Sequence, residues 1–521
     1  MTRRGGVTGA ALLLTVLTAS SQLLGFVRDA VVAAVFGVGS TLDAYLVAQG
    51  VMNLVLALVA GAMARAVVPV VSRAADAGDT VRASRTVQTA LTLTTVVLVS
   101  ASVLVAGAAG VVVDVLAPGF DEDTAALAVD LTRVVLFASL FVAGTNVLAA
   151  AAQSHGRFFL SGLEGVVFNV VMIAAAAWFA RAYGVSALAV GFVVASAVRL
   201  LTQLPAVRAV GLRLRPRLAL RDPDFREVLR LVPALLLGSA VVNVNTLVDR
   251  AVGSEQGAGT ITALSLGWRV VTLVDTLLVV TVAAALFPAF SRLGDRARRA
   301  ELRTLVDRSV GIVLVLLAPA AVGLAVAAGP VVQVVFGRGD FDADAVRVTA
   351  TAVSFYALGA VGIAVRSLSS RAFLAVGDSR TPVAIAVVAM VVNVVGDLTL
   401  GVAYGIPGLA GSTTLSLGVA AVLSVVALAR RHTALDLRRL GAASGRVAAA
   451  AAAAAVAGRL ALVLLPGDEA GTVGRLGSAL AAVGVAGVAV TVAYVATLLV
   501  LRSPELRELW TLLAARVSRP L

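Results

Sequence analysis

The sequence predicts an all-α, polytopic membrane protein with about 14 transmembrane helices, and its composition and its apolar runs carry that prediction. Hydrophobic residues make up 60% of the 521-residue chain, charged residues make up 14%, and the mean hydropathy is +1.00. Apolar runs of about 18 residues or more, each long enough to cross a bilayer as a helix, recur along nearly its whole length. A water-soluble globular protein is therefore excluded.

Hydropathy averaged over a window of about 19 residues places each helix. The predicted spans are 8–37, 39–71, 86–113, 127–152, 157–180, 184–206, 228–252, 257–291, 309–335, 347–373, 381–403, 406–429, 446–465 and 474–501. The first, second and eighth spans are longer than a bilayer requires, so we expect these three to be tilted or bent.

The distribution of arginine supports an even number of spans with both termini in the cytoplasm. With the amino terminus inside, most of the 42 basic residues fall in cytoplasmic segments, as the positive-inside rule requires. The arginines of the outer loops are only Arg181, Arg338, Arg347 and Arg475. Membrane orientation thus explains the net charge of +13, and no nucleic-acid partner is expected because the basic residues form no continuous face.

A short internal repeat indicates that the chain is duplicated. Asp29 is followed by Gly37-Val38-Gly39, and Asp249 is followed at the same spacing by Gly257-Ala258-Gly259. The matches begin in spans 1 and 7, so the repeat unit is six helices, and an even unit gives two lobes in parallel pseudo-repeat. The predicted segments are an N-lobe at 1–206, a cytoplasmic linker at 207–227, a C-lobe at 228–430, spans 13 and 14 with the preceding loop at 431–502, and a cytoplasmic amphipathic tail at 503–521.

Some charged side chains fall inside the apolar spans, where each costs a few kcal/mol unless it meets water or a partner. Arginines near the span ends are expected to extend their stems to the interface; these are Arg65, Arg133, Arg199, Arg366 and Arg459. The deeper charged residues are Arg28, Asp29, Asp249 and Arg269, and they favour a water-filled central cavity over buried structural ion pairs. Guanidinium groups bind phosphate through two parallel hydrogen bonds, so the cavity suits a phosphate-bearing ligand, and a carboxylate such as Asp29 or Asp43 offsets its charge when empty.

A second polar group has a different composition. Asn393 and Asp397 are one helical turn apart in span 11, Thr413 lies in span 12, and Asp249 lies in span 7. Carboxylates, an amide and a hydroxyl are hard oxygen ligands of the kind that bind a small cation. Two alternatives stay open: these side chains hold helices together by hydrogen bonds, or Asp249 simply pairs with Arg250.

The sequence lacks the combinations of residues that catalytic sites require. The chain has no cysteine, both histidines lie in predicted loops, and no glycine-rich phosphate loop joins a strand to a helix. The sequence therefore predicts no enzyme, no cofactor and no metal centre, and it leaves open only a small-cation site at the second polar group.

Several motifs together resemble the MurJ/MviN family of lipid II flippases, which belongs to the multidrug/oligosaccharidyl-lipid/polysaccharide exporter superfamily. They are "LLGFVRDAVVAAVFGVGSTLDAYLVA" (23–48), "GAMARAVVPV" (61–70), "LGWRV" (266–270), "VVFGRGDF" (334–341) and "SRAFLAVGDSRTP" (370–382). The resemblance covers about residues 5–430, and it implies two six-helix lobes plus two further helices.

The resemblance also implies roles for individual residues. Arg28, Asp29 and Arg269 correspond to cavity residues that hold the substrate's pyrophosphate, with Asp43 nearby. The ion-binding set Asp249, Asn393, Asp397 and Thr413 resembles the positions at which family members carry a sodium site. The implied partners are an undecaprenyl-pyrophosphate-linked saccharide, membrane lipids and proteins of cell-wall synthesis, in a multi-pass protein of the bacterial inner membrane that serves peptidoglycan biosynthesis and cell shape.

The chain departs from the family at cationic positions. Gln22, Leu56 and Ala57 stand where relatives usually carry arginine, and Arg65 is at best a partial replacement as a substrate-binding residue. We expect a lipid II flippase that works by alternating access. The alternatives are a flippase for another undecaprenyl-pyrophosphate glycan, an ion-coupled drug exporter of the same superfamily, and a non-transporting scaffold in cell-wall assembly.

Overall fold

The computed structural model describes residues 3–57, 60–273, 299–432, 435–465 and 472–509. Within these ranges the chain forms helices joined by short turns and contains no strand, which confirms the all-α prediction. The chain divides into two compact units, Met1–Thr262 with Gly339–Phe341 and Ala263–Arg338 with Asp342–Leu521.

The helices are numbered here in chain order. They are α1 (Arg3–Phe36), α2 (Ser40–Ala57), α3 (Ala60–Asp76), α4 (Thr80–Gly107), α5 (Ala109–Leu116), α6 (Glu122–Ser154), α7 (Phe159–Tyr183), α8 (Ser186–Ala209), α9 (Pro223–Glu255), α10 (Thr260–Leu273), α11 (Arg299–Val326), α12 (Ala328–Phe336), α13 (Ala343–Ala375), α14 (Arg380–Tyr404), α15 (Ile406–His432), α16 (Leu437–Val463) and α17 (Thr472–Val500). Both α7 and α14 contain one wide turn of π-helix, at Ala175–Phe179 and Asp397–Gly401.

The described residues hold 12 helical segments long and apolar enough to cross a membrane, with α2 and α3 counted together as one. Their positions match predicted spans 1–6 and 9–14. Predicted span 7 coincides with α9, which is not among the 12, and span 8 begins with α10 while residues 274–298 lie outside the described part. The multi-span fold is confirmed, and the count of 14 stays a prediction, as does the tail beyond residue 509.

The first unit packs small and branched apolar side chains around α6. Val135 and Ala138 of α6 are fully buried against side chains from α1, α2, α7 and α8, including Leu188. A second cluster joins α3, α4 and the start of α9, where Phe225 is fully buried. Alanine lets helices approach closely, and close packing is what holds helices together in a lipid environment.

The second unit has two cores that share α11. Val310 and Leu317 face α13, α14 and α15, whereas Val315 and Val322 face α16 and α17, where Tyr494 is buried. Because α11 is apolar on both sides, it ties the last two helices to the rest of the unit.

Aspartates outside the apolar stretches fix the starts of α4, α9, α13 and α16. Each accepts a hydrogen bond from a backbone N–H of the first turn, which satisfies a donor that the helix itself leaves unpaired. They are Asp79 before α4, Asp222 before α9, Asp342 before α13 and Asp436 before α16.

The two glycine turns of the predicted duplication lie against each other in the first unit. Gly37 and Gly257, the first glycine of each turn, have positive φ angles of 63° and 104°. A Cβ on Gly259 would lie 2.6 Å from Cγ1 of Val38, so glycine is needed for this approach. These contacts help to explain why the first unit extends to Thr262. The lobe boundary predicted between residues 206 and 228 is a different division, and it stays a prediction.

Candidate functional site

Arg28 and Asp29 form an ion pair within the apolar helix α1. The Arg28 Nε and Nη2 atoms donate to Asp29 Oδ1 over 2.9 and 2.6 Å, and the two side chains are 23% and 18% exposed. The guanidinium carbon also lies 5.9 Å from the centre of the Phe168 ring on α7, within the range of a cation–π contact. The pair thus lies half-buried against α7 of the helix bundle.

Tyr45 and Gln49 of α2 lie beside this pair and were missed by the sequence analysis. Gln49 Nε2 donates to the Tyr45 hydroxyl over 2.8 Å, and the Tyr45 side chain is buried close enough to feel the charges of Arg28 and Asp29. Their only sequence signal is two polar side chains one turn apart in an apolar span.

Asp43 of α2 is 1% exposed, and both of its carboxylate oxygens accept hydrogen bonds at the start of α10. Gly259 N donates to Oδ2 over 2.7 Å, and Thr262 donates to Oδ1 from its N over 2.7 Å and from its Oγ1 over 2.6 Å. A carboxylate at a helix amino terminus satisfies free N–H groups and opposes the positive end of the helix dipole. This geometry assigns Asp43 a structural role, and its predicted contact with substrate stays a prediction.

The other two predicted substrate residues lie on different elements. Arg65 is exposed on α3, where its Nε donates to the Gly61 carbonyl over 3.1 Å. Arg269 is half-buried on α10 in the second unit, next to Trp268, whose ring packs edge-on against Tyr356 at 5.3 Å. Arg28 thus pairs with Asp29, whereas Asp43 accepts hydrogen bonds at the start of α10 and Arg65 donates to a carbonyl of its own helix.

Asn393 and Asp397 of α14 are in contact, as their spacing predicts. Asn393 Nδ2 donates to both Asp397 carboxylate oxygens over 3.1 Å, and Ser412 Oγ of α15 donates to Asp397 Oδ1. All three side chains are at most 2% exposed. Asp397 opens the π turn of α14, and such turns frequently occur at functional sites.

Two further members of the predicted ion set are placed differently. Thr413, next to Ser412 in the chain, donates its hydroxyl to the Leu409 carbonyl over 3.2 Å. Asp249 lies on α9 in the first unit. Ser412 was missed by the sequence analysis, although "GSTT" at 411–414 offered three neighbouring hydroxyls in an otherwise apolar span.

Arg250 follows Asp249 and is held against the backbone of α2. A side chain at Gly50 would collide with the Arg250 guanidinium, so the absence of a Cβ at Gly50 makes this close approach possible. The Arg250 Nη1 atom is buried and has no hydrogen-bond partner among the described residues. The alternative that Asp249 simply pairs with Arg250 stays open.

Arg199 pairs with Glu164, a residue that the sequence analysis missed. Arg199 Nη2 of α8 donates to Glu164 Oε1 of α7 over 3.1 Å, and the two side chains are 18% and 26% exposed. Glu164 is the only charged residue in the apolar stretch "SGLEGVVFN" at 161–169, and an isolated carboxylate in such a stretch is a sequence signal for a residue with a partner. The partner of each residue lies 35 positions away, so spacing along one helix does not reveal the pair.

Asp378 lies outside the predicted spans, in the turn before α14. It accepts hydrogen bonds from Thr381 Oγ1 over 2.7 Å and from the Thr381 N–H over 3.0 Å, and its Oδ2 lies 3.0 Å from His432 Nε2. The Thr381 hydroxyl, the Thr381 N–H and the His432 ring hold the pKa of the Asp378 carboxyl well below its ordinary value. The ionised carboxylate thus fixes the start of the helix that carries Asn393 and Asp397.

Solved structures with this fold are membrane transporters. "Lipid II flippase MurJ, inward closed conformation" matches 91% of this chain and 98% of its own, with a TM-score of 0.74 and 18% identity. An inward-facing multidrug resistance MATE family transporter of the MOP superfamily matches 82% of this chain and 98% of its own, with a TM-score of 0.66 and 16% identity. The fold is therefore that of a multi-pass helical membrane protein, shared with these transporters.

The sequence comparison identifies the family. The family model described as "Lipid II flippase MurJ" matches residues 32–469. The chain belongs to the lipid II flippase MurJ family, whose members are multi-pass proteins of the bacterial inner membrane.

Curated relatives agree over most of their length. "Lipid II flippase MurJ" of Burkholderia cenocepacia is 30% identical over 428 residues, which cover 80% of this chain and 82% of the relative. "Probable lipid II flippase MurJ" of Vibrio cholerae is 29% identical over 420 residues, which cover 78% of this chain and 80% of the relative.

Proposed function

We propose that this protein moves lipid II, an undecaprenyl-pyrophosphate-linked saccharide, from the inner to the outer leaflet of the membrane. The observation that carries this proposal is the Arg28–Asp29 pair of α1, a half-buried guanidinium in a chain that belongs to the MurJ family. A planar guanidinium binds phosphate oxygens through two hydrogen bonds, which suits the pyrophosphate that joins saccharide to lipid.

In this mechanism Asp29 holds Arg28 when the substrate is absent. An arriving pyrophosphate replaces Asp29 as the partner of Arg28, so the guanidinium is never left uncompensated at membrane depth. Arg269 of the predicted C-lobe supplies the second cation, and Arg65 of α3 is an exposed further candidate.

We propose that the lipid tail binds in an apolar groove between α16 and α17. A cavity of about 560 Å³ lies between α16 and α17, and it is lined by Ala457, Gly484, Val485, Val488, Ala489, Val492 and Ala493. A polyprenyl chain in this groove exchanges one apolar surrounding for another, so it moves with the headgroup at little cost in free energy.

Alternating access requires the contacts between the predicted lobes to break and re-form. Under the predicted boundary, Asp43 belongs to one lobe and Thr262 to the other, so their hydrogen bonds would hold one of the two states. We propose that both termini are cytoplasmic, which the arginine distribution supports.

We also propose a coupling cation, sodium, for the cluster around Asp397. Asn393, Asp397 and Thr413, with Asp249 from α9, are the proposed ligands, and the buried Ser412 hydroxyl adds another hard oxygen. A carboxylate with amide and hydroxyl oxygens fits a small cation by donor type. The Asp397 carboxylate is fully buried beside the Asn393 amide and the Ser412 hydroxyl.

A thermal unfolding series tests the ion proposal. Sodium, but not potassium, is expected to raise the unfolding temperature of the purified protein, because a ligand that binds the folded state stabilises it by mass action. Asp397→Asn should abolish the sodium effect, whereas Asp130→Asn, at an exposed aspartate of α6, should keep it. A sodium effect that survives in Asp397→Asn would refute the assignment.

Growth complementation tests the function. Cells depleted of their own lipid II flippase are expected to grow when they express this protein. Rescue excludes the non-transporting scaffold. Efflux of organic cations without rescue would instead favour the drug exporter. The structural match to a MATE transporter is the reason to include this measurement.

A further inference from the structure

The half-buried Arg199–Glu164 pair lies within the first unit and has no role in the proposed mechanism. Arg199 Nη2 of α8 donates to Glu164 Oε1 of α7 over 3.1 Å and to Asn146 Oδ1 of α6 over 3.3 Å. Three helices therefore meet at one guanidinium. A charged pair at membrane depth is expensive, so its presence calls for a physical reason.

Both charged residues lie on the buried sides of their helices. On α8, Ala195, Ser196 and Gln203 are buried around Arg199, while Leu201, on the opposite side, is 59% exposed. Glu164 lies one turn before Phe168, which is 9% exposed on α7. The pair thus points towards the inside of the helix bundle and not towards lipid.

The pair leaves binding capacity unused. Glu164 Oε2 and Arg199 Nε are buried and have no hydrogen-bond partner among the described residues. Buried polar atoms are paired in the great majority of cases, so these two atoms leave room for a further hydrogen-bond partner at the pair. The side chains keep 18% and 26% exposure, so they are not sealed from their surroundings.

Phe168 connects this pair to Arg28. The Phe168 ring lies 5.9 Å from the Arg28 guanidinium carbon and packs edge-on against Phe192 of α8 at 5.0 Å. Glu164 is one turn, about 6 Å, from Phe168, and Arg199 is two turns, about 10 Å, from Phe192. Two arginines, each held by a carboxylate, therefore lie at different levels of the same bundle interior.

We propose that Arg199 is a second pyrophosphate-binding residue, and that it pairs with Glu164 while no substrate is bound. This inference rests on the proposed flippase function. Glu164 lies nearer than Phe168 to the start of α7, on the side where the chain connects to residues 155–158, a loop predicted to be cytoplasmic. A pyrophosphate that arrives from the cytoplasm meets Arg199 first, displaces Glu164 from it, and then passes to Arg28.

Neutral substitutions distinguish this role from a purely structural ion pair. A structural pair predicts that Arg199→Gln and Glu164→Gln each destabilise the protein, because each leaves a buried charge alone, and that the double variant recovers. A binding role predicts that the double variant recovers stability and still binds substrate poorly.

The experiment measures binding of undecaprenyl pyrophosphate to the full-length purified protein in lipid nanodiscs, together with its unfolding temperature. We expect Glu164→Gln to bind the lipid more tightly, since a neutral amide competes less for Arg199. Arg199→Gln and the double variant should bind it about tenfold or more weakly, the loss expected for a charged hydrogen bond. Wild-type affinity in the double variant would overturn the inference.

Three controls complete the test. Arg133→Gln, which breaks the exposed pair with Asp130 on α6, should leave binding unchanged. If Arg199→Gln does not accumulate, Arg199→Lys replaces it, because lysine keeps the charge but not the planar guanidinium. Arg199→Lys should bind the lipid more weakly at wild-type stability; equal affinity would overturn the inference.

Wild-type protein that fails to bind the lipid refutes the flippase proposal as well, whereas binding that depends on Arg28 and not on Arg199 refutes this inference alone.

Discussion

Arg28→Ala is expected to abolish rescue of flippase-depleted cells while the protein still accumulates in the membrane. The substitution removes both guanidinium hydrogen bonds that the proposal assigns to the pyrophosphate, and each charged hydrogen bond is worth roughly 1.5–3 kcal/mol. Binding of the pyrophosphate lipid should therefore weaken by about a hundredfold. Cell growth and lipid binding by the purified protein are the measurements.

Two comparisons separate lost binding from lost folding. The Arg28→Ala, Asp29→Ala double variant removes the carboxylate that Arg28→Ala strands in the apolar helix α1, and we expect it to be stable but inactive. Arg133→Ala removes an arginine from an exposed ion pair on α6 and should rescue growth fully. Full rescue by Arg28→Ala would show that Arg28 does not hold the substrate.

Asp43→Ala is expected to destabilise the protein by about 2–3 kcal/mol. The variant leaves the Gly259 and Thr262 N–H groups and the Thr262 hydroxyl without their buried acceptor at the start of α10. Thermal unfolding of the purified protein measures the loss as a lower unfolding temperature. Transport should fall as well, because the proposed mechanism uses these contacts to hold one of its states.

The isosteric variant and a surface aspartate provide the controls for Asp43. Asp43→Asn keeps one oxygen acceptor and the same volume, so we expect it to lie between wild type and Asp43→Ala. Asp130→Ala, at a side chain that is 75% exposed, should unfold at the wild-type temperature. An Asp43→Ala protein as stable as wild type would contradict the capping role.

The membrane fold was predictable because hydropathy and charge act over whole segments. Twelve predicted spans match helical segments of the structure, since about 20 apolar residues leave the chain little choice but a helix in a bilayer. The π turn at Asp397–Gly401 was not predictable, because one extra residue in a helical turn leaves no periodic signal in an apolar sequence.

The candidate site was predictable only where its residues share one helix. Asn393 and Asp397 are four apart, so helical geometry alone brought them together. Ser412 and the Glu164–Arg199 pair depend on how helices are rotated against each other, which hydropathy does not specify. Arg199 was expected to extend to the interface because it was placed near a span end, and the spacing did not reveal its partner on another helix, 35 residues earlier in the chain.

The appearance of lipid II on the outer face of the membrane tests the central claim most directly. Cells depleted of their own flippase are supplied with this protein, and the lipid II accessible from outside is quantified by a membrane-impermeant probe. The account predicts that the wild-type protein restores outer-face lipid II and that Arg28→Ala, present at equal amount, does not. Outer-face lipid II that stays at the depleted level with abundant folded wild-type protein would contradict it.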